Sequence, residues 1–199
     1  MKSKILIKQI IVLIIILGIV LFLIIILDFI SKNKILDLFK RNTENSMLSD
    51  TANVPVRLEI PSIGIYAPIV YVGVTPDGAM DVPKNPNEVA LYKFGPRPGE
   101  KGSAVIDGHS GYKDGKVAVF DNLYNLVKGD KIRAVDGKGK VITFVIREVR
   151  KYNPSADADM VFNSKDGKSH LNLITCTGAW DDIKKSHKER LVIFSDRET

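Results

Sequence analysis

The chain reads as a mainly β domain, a sandwich or closed barrel of seven or eight short strands with a few short helices, carried behind one N-terminal transmembrane helix. Three observations predict this. Short apolar or alternating runs separated by turn residues recur from Val56 to Phe194, helical signals in that stretch are few and brief, and Gln9 to Leu27 is an uncharged run of 19 residues.

At about 1.5 Å per residue, the N-terminal run is long enough to cross a hydrocarbon core of roughly 30 Å. It is apolar all round, unlike the one-sided stripe of a helix packed on a globular core. Asp28-Phe29-Ile30-Ser31-Lys32 follows without the small-x-small site of a cleaved signal peptide. An uncleaved signal anchor over residues 9–30 is therefore expected, after a tail of residues 1–8. Lys2, Lys4 and Lys8 precede the span while Lys32, Lys34, Lys40 and Arg41 follow it, so basic-residue counting assigns no orientation. Residues 31–53 read as a tether with a short helical stretch from Ile35 to Lys40, and residues 54–199 as the folded domain.

Within the domain, Val56 to Ile60 alternates apolar and polar before Pro61 interrupts it. Ala67 to Val74 is the next extended run, closed by Thr75-Pro76-Asp77-Gly78. Ser103 to Asp107 reads as a buried strand. Lys131 to Val135 and Val141 to Val149 flank Asp136-Gly137-Lys138-Gly139, a connection suited to a hairpin. Leu171 to Thr175 and Leu191 to Phe194 complete the set. Val119 to Leu126 can form two helical turns, and Ser155 to Phe162 a second short helix with Ser155 as N-cap and acids in its first turn.

The formal charge of +6 is spread evenly along the chain, which leaves no segment basic enough for a nucleic-acid partner. A single cysteine excludes an intrachain disulfide framework and any cysteine-rich zinc site. That residue, Cys176, ends the apolar run Leu171 to Thr175. Arg190 stands just before the next run, and His109 ends Ala104-Val105-Ile106-Asp107-Gly108-His109.

Thiol, imidazole and guanidinium, each at a strand end, are the parts of a cysteine acyl-transfer site. A thiolate is the nucleophile, and at its ordinary pKa of about 8.5 a thiol needs a base to supply it. A histidine can take that proton and later protonate the leaving amine. An arginine supplies fixed positive charge where the carbonyl oxygen becomes negative. Taken singly, each has a plainer reading: a lone strand cysteine is more often a small hydrophobe, and an arginine before a strand is usually a surface charge. Asp107, on the same strand face as His109, has poor geometry for a triad partner. His170 and His187 are rival bases, but both lie in polar stretches and are expected to be solvated. Trp180, between Cys176 and Arg190, either walls a substrate groove or packs.

At these residues the chain resembles the sortase family of membrane-anchored cysteine transpeptidases. Leu173-Ile174-Thr175-Cys176 matches the Leu-x-Thr-Cys hallmark, with Arg190 at the family's kind of spacing. Val105 to His109 is similar to the strand carrying the family's histidine, Pro98 to Gly102 to the turn before it, and Leu58 to Ile69 to the opening strand pair. The resemblance covers about residues 54–197. It implies a closed eight-stranded β-barrel and a thioacyl-enzyme mechanism. In that mechanism Cys176 cleaves a Leu-Pro-x-Thr-type C-terminal sorting signal after threonine and passes the protein to an amine of a peptidoglycan precursor or pilin. It further implies His109 as general acid/base and Arg190 as the substrate-binding, oxyanion-stabilising residue, with Thr175 and Trp180 as weaker substrate-binding candidates. No cofactor or metal is expected. Asp157 and Asp159, in the region where some members bind calcium, read as the solvated face of a capped helix.

One N-terminal span, no second apolar span and no Asp-Pro-aromatic motif before the domain argue against class C. The short Val149–Leu171 connection argues against class B, and class D fits best, with classes A and E behind it. The domain is placed outside the cell membrane, on a Gram-positive type surface, from this function. Two other readings stand beside the transpeptidase: a non-catalytic anchored barrel that binds wall peptides, and a cysteine hydrolase of the same architecture.

Overall fold

The computed structural model describes Lys34 and residues 54–111, 117–182 and 186–199. The expected anchor over residues 9–30, and the tether apart from Lys34, lie outside them. Among the described residues no helix is long and apolar enough to cross a membrane.

From Pro55 onward the chain closes a β-barrel. Its strands are β1 (Pro55–Ile60), β2 (Ile65–Val72), β3 (Val89–Tyr92), β4 (Gly102–Gly108), β5 (Lys131–Asp136), β6 (Val141–Tyr152), β7 (Ser169–Asp181) and β8 (Ser186–Arg197). The order around the barrel is β1-β2-β3-β4-β7-β8-β6-β5, with β5 returning to β1. β2 pairs with β3 and β4 with β7 in parallel; the other neighbours are antiparallel. Pro61 ends β1 because it cannot donate to the ladder. A single 3-10 turn, Pro61–Ile63, follows, and Gly64 at φ 69° takes the left-handed conformation that returns the chain into β2.

Period-two alternation explains the interior. Leu58, Ile60, Ala104, Ile106, Ile132, Phe144, Leu171, Leu173, Leu191 and Ile193 are all buried in one core cluster. β4, β7 and β8 are apolar on successive residues because their outer face is covered as well. There a second cluster gathers Val105, Val192 and Phe194 under Val161 of the short helix α1 (Asp159–Phe162). Four helical residues are too few to be stable alone. Burial of Val161, a contribution of about 1.5–3 kcal/mol, and a 2.6 Å hydrogen bond from Asn172 Nδ2 to the Val161 carbonyl hold α1 on the sheet.

Several elements depart from expectation. β3 has no counterpart in the sequence reading: Val89, Ala90 and Leu91 are buried in succession, so the run carries no alternation. β2 begins at Ile65, earlier than expected, and Val74 forms an isolated bridge with Met80 instead. The 119–126 stretch contains only a 3-10 turn, Leu123–Asn125. Ser155 is not an N-cap: α1 starts after Ala158, without a side-chain cap, and both Ser155 N–H and Oγ bond Asn153 Oδ1. β7 and β8 run well past the apolar runs, so Cys176 and Arg190 sit inside strands rather than at their ends.

Candidate active site

The pleat of β7 sends Leu171, Leu173 and Thr175 into the barrel and Asn172, Ile174 and Cys176 to the outer face. On β8, Arg190, Val192 and Phe194 share that outer face, and on β4 Val105 and Asp107 do. Cys176 is paired with Arg190 directly across the β7–β8 ladder. In the parallel β4–β7 ladder Asp107 pairs with Ile174; the same register carried two residues on aligns position 109 with position 176. One cleft of about 570 Å³ is lined by Asp107, His109, Cys176 and Arg190. Its walls come from Val74 to Val82 on one side and from Pro154, Ala158 and Phe162 on the other. Three stretches far apart in sequence thus present thiol, imidazole and guanidinium to the same cleft.

The electrostatics of the cleft are mixed. Burial pushes the Cys176 thiol above its ordinary pKa; Arg190 opposes that shift and Asp107 adds to it. The resting thiol is therefore protonated at neutral pH, and ionisation needs a base. Burial drives the Asp107 carboxyl up to about 7, although the Gly108 N–H and Arg190 pull it down.

His109 follows β4 and is half-buried, with Nε2 2.7 Å from the Pro83 carbonyl oxygen. A carbonyl only accepts, so Nε2 donates to it, and in the neutral ring Nδ1 is the acceptor atom. A main-chain carbonyl here orients the ring, where the sequence offers no acidic third member. Gly108 is required on steric grounds: a Cβ there would lie 2.5 Å from Phe120 Cδ2. Arg190 is half-buried, and its Nη1 donates to the His187 and Glu189 carbonyls at 3.2 Å each, which fixes the guanidinium plane.

Thr175 and Trp180 do not line the cleft. Thr175 is 1% exposed and points inward, its Oγ1 donating to the Gly108 carbonyl at 2.7 Å. It joins the strand of the thiol to the strand end that precedes His109. Trp180 is 51% exposed, paired with His187 on the hairpin beyond the cleft, their rings edge to face at 5.3 Å. The expectation of a solvated His170 is corrected: it is 2% exposed, with Nδ1 2.7 Å from Asp196 and Nε2 2.9 Å from Asp166. Entry into β7 draws it under both acids. His187 is partly exposed, with Nδ1 donating to the Gly178 carbonyl. Asp157 Oδ1 accepts from the Asp159 N–H, and Asp159 Oδ1 from Asn163 Nδ2, so both carboxylates serve turn and helix geometry.

A half-buried thiol opposite an arginine, with a histidine in the same cleft of a closed barrel, defines the cysteine acyl-transfer class. The Sortase domain family matches residues 58–198. The chain belongs to the sortase family, whose members are cysteine transpeptidases. No curated protein sequence matches it. Among solved structures it is similar to Sortase A from Corynebacterium diphtheriae, at 23% identity and TM-score 0.58 over 74% of this chain, and it spans 62% of that one. It is similar to sortase C-1 from Actinomyces oris at 24% identity and TM-score 0.59, over 78% of this chain and 81% of that one. Against a Clostridium perfringens Sortase D5 transpeptidase the values are 22% and 0.57, over 80% and 89%. At such identities these likenesses establish the barrel fold.

Proposed function

We propose that this chain is a membrane-anchored transpeptidase in which Cys176 is the nucleophile, His109 the general acid/base and Arg190 the oxyanion and substrate-binding residue. The cleft shared by the three residues carries the reading. His109 Nδ1 takes the thiol proton, and the thiolate adds to the threonine carbonyl of a Leu-Pro-x-Thr-type sorting signal. Negative charge builds on the carbonyl oxygen beside the Arg190 guanidinium. The C–N bond then breaks, the leaving amine takes the proton from His109, and a thioacyl-enzyme remains. A cell-wall amine adds to the thioester, loses a proton to His109, and expels the Cys176 thiolate, which is reprotonated. The anchor over residues 9–30 would hold the domain on the outer face of a Gram-positive type membrane, and class D is the subclass the sequence favours.

The cleft position of Cys176 supports catalysis over the binding-barrel reading, in which the sulfur would be sealed. Full-length protein in detergent, incubated with a panel of sorting-signal peptides and glycine or diaminopimelate-type amines, should yield an amide product by mass spectrometry. Cys176→Ala, a small volume change, should abolish that product and leave the fold intact. Cleavage without amide would make the protein a hydrolase; no cleavage, with the thiol inert to methylthiosulfonate, would make it a binder.

A further inference from the structure

We propose that Asp107 is a positioning residue that sets the charge state of the site, acting from the cleft floor on the Cys176 thiol and the Arg190 guanidinium together. The inference rests on the reading above only for its effect on turnover; its effect on the thiol stands apart. Asp107 is the one carboxylate among the described residues lining the cleft. Its strand pairs with β3 at Ala90 and with β7 at Ile174, so the pleat leaves the carboxyl facing the cleft from a central position. The titratable groups around it are Tyr92 from β3, His109 beyond its own strand, Cys176 from β7 and Arg190 from β8. The 74–82 and 154–162 walls present uncharged residues to the cleft. Asp121, close in the chain, is turned away onto the Gly111 and Ala118 N–H groups.

Two charge states follow. Ionised, Asp107 opposes the thiolate and draws on the positive charge of Arg190. Protonated, it leaves that charge to the thiolate and to the developing oxyanion. Burial brings the Asp107 transition to about 7, close to neutral pH, and Asp107 is itself one cause of the upward displacement of the thiol. The two ionisations are therefore antagonistic, and the sulfur becomes a thiolate at higher pH than its arginine neighbour alone would set.

The test is the pH profile of Cys176 alkylation by iodoacetamide, an uncharged reagent, on the full-length protein in detergent. Removing a unit charge across a short path at an effective dielectric of about 20 should lower the midpoint in Asp107→Asn by about 0.5–1.5 pH units, or ~3–30-fold more thiolate below it. Asp107→Glu should retain most of the native midpoint. An unchanged midpoint, or a rate altered by one factor at every pH, overturns the proposal, because a purely structural role would do the same. Should Asp107→Asn fail to keep the native near-ultraviolet dichroism, Asp107→Ser replaces it under the same criteria. No peptide is needed. A shifted midpoint in a protein that cleaves nothing would defeat the function reading and leave this one standing.

Discussion

Cys176 and Arg190 face each other across an interior rung of the β7–β8 ladder, which continues beyond them to Asp181 and Ser186. Sulfur and guanidinium are thus spaced by main-chain pairing rather than by a loop. The two carbonyl contacts of Arg190 also hold its head in one plane.

Arg190→Lys keeps the charge but loses the planar fork. It should reduce transpeptidation by about 100-fold or more, with thiol alkylation persisting as a sign of an intact fold. Turnover near that of the native protein would remove Arg190 from the mechanism.

Thr175→Val is nearly isosteric and deletes the hydroxyl that donates to the Gly108 carbonyl. Urea unfolding should show a loss of about 1–2 kcal/mol. Turnover should fall as well, because the residue before His109 loses a contact to β7 beyond the last rung of the β4–β7 ladder. Unaltered stability would show that the carbonyl finds another donor.

Gly108→Ala places a methyl group 2.5 Å from a Phe120 ring carbon. Overpacking of this kind costs about 1–3 kcal/mol. A thermal melt should record the loss, and Phe120→Leu in the same chain should recover part of it. A loss that Phe120→Leu does not touch would point to backbone conformation instead.

His170→Ala removes a buried ring held by Asp166 and Asp196. Denaturant unfolding should show a cost of about 2–4 kcal/mol. Peptide turnover per folded molecule should stay the same, since His170 lies about 20 Å along β7 from Cys176 at ~3.3 Å per residue. Impaired turnover would tie the far end of the barrel to the site.

Asp107 also makes stability depend on pH. Its folded carboxyl ionises at about 7, whereas an unfolded one ionises near ~4. Between those values the folded state binds the extra proton, so native stability falls as pH rises through the window. Asp107→Asn should match the native protein near pH ~3.5 and exceed it at pH ~8 by on the order of 2 kcal/mol, allowing for the solvent that reaches the carboxyl. Equal pH slopes in chemical denaturation would contradict this.

The barrel was legible wherever one face of a strand is wet. β1 alternates, and the β5–β6 hairpin is marked by Asp136 to Gly139, so both could be read by period and turn chemistry. β3 was not legible, because Val89–Tyr92 is sandwiched between layers and too short to declare a period. Ser155 misled for another reason: Asn153 competes for its hydroxyl and amide, leaving α1 to be held by packing on the sheet. Polar neighbours likewise gave His170 the look of a surface residue, while its acid partners come from the turn before β7 and from β8, remote in sequence but next to β7 in the barrel.

Residue chemistry and local motif alone determined the family resemblance and its three reactive groups, because a thiol, an imidazole and a guanidinium keep their intrinsic reactivity wherever the chain takes them. Which side chains share the cleft is set by how the strands pair in three dimensions. Ladder register and pleat turn Cys176, Arg190 and Asp107 outward and Thr175 inward, and burial moves the Asp107 ionisation into the neutral range. Those outcomes depend on strands remote in sequence, whose pairing no local pattern encodes.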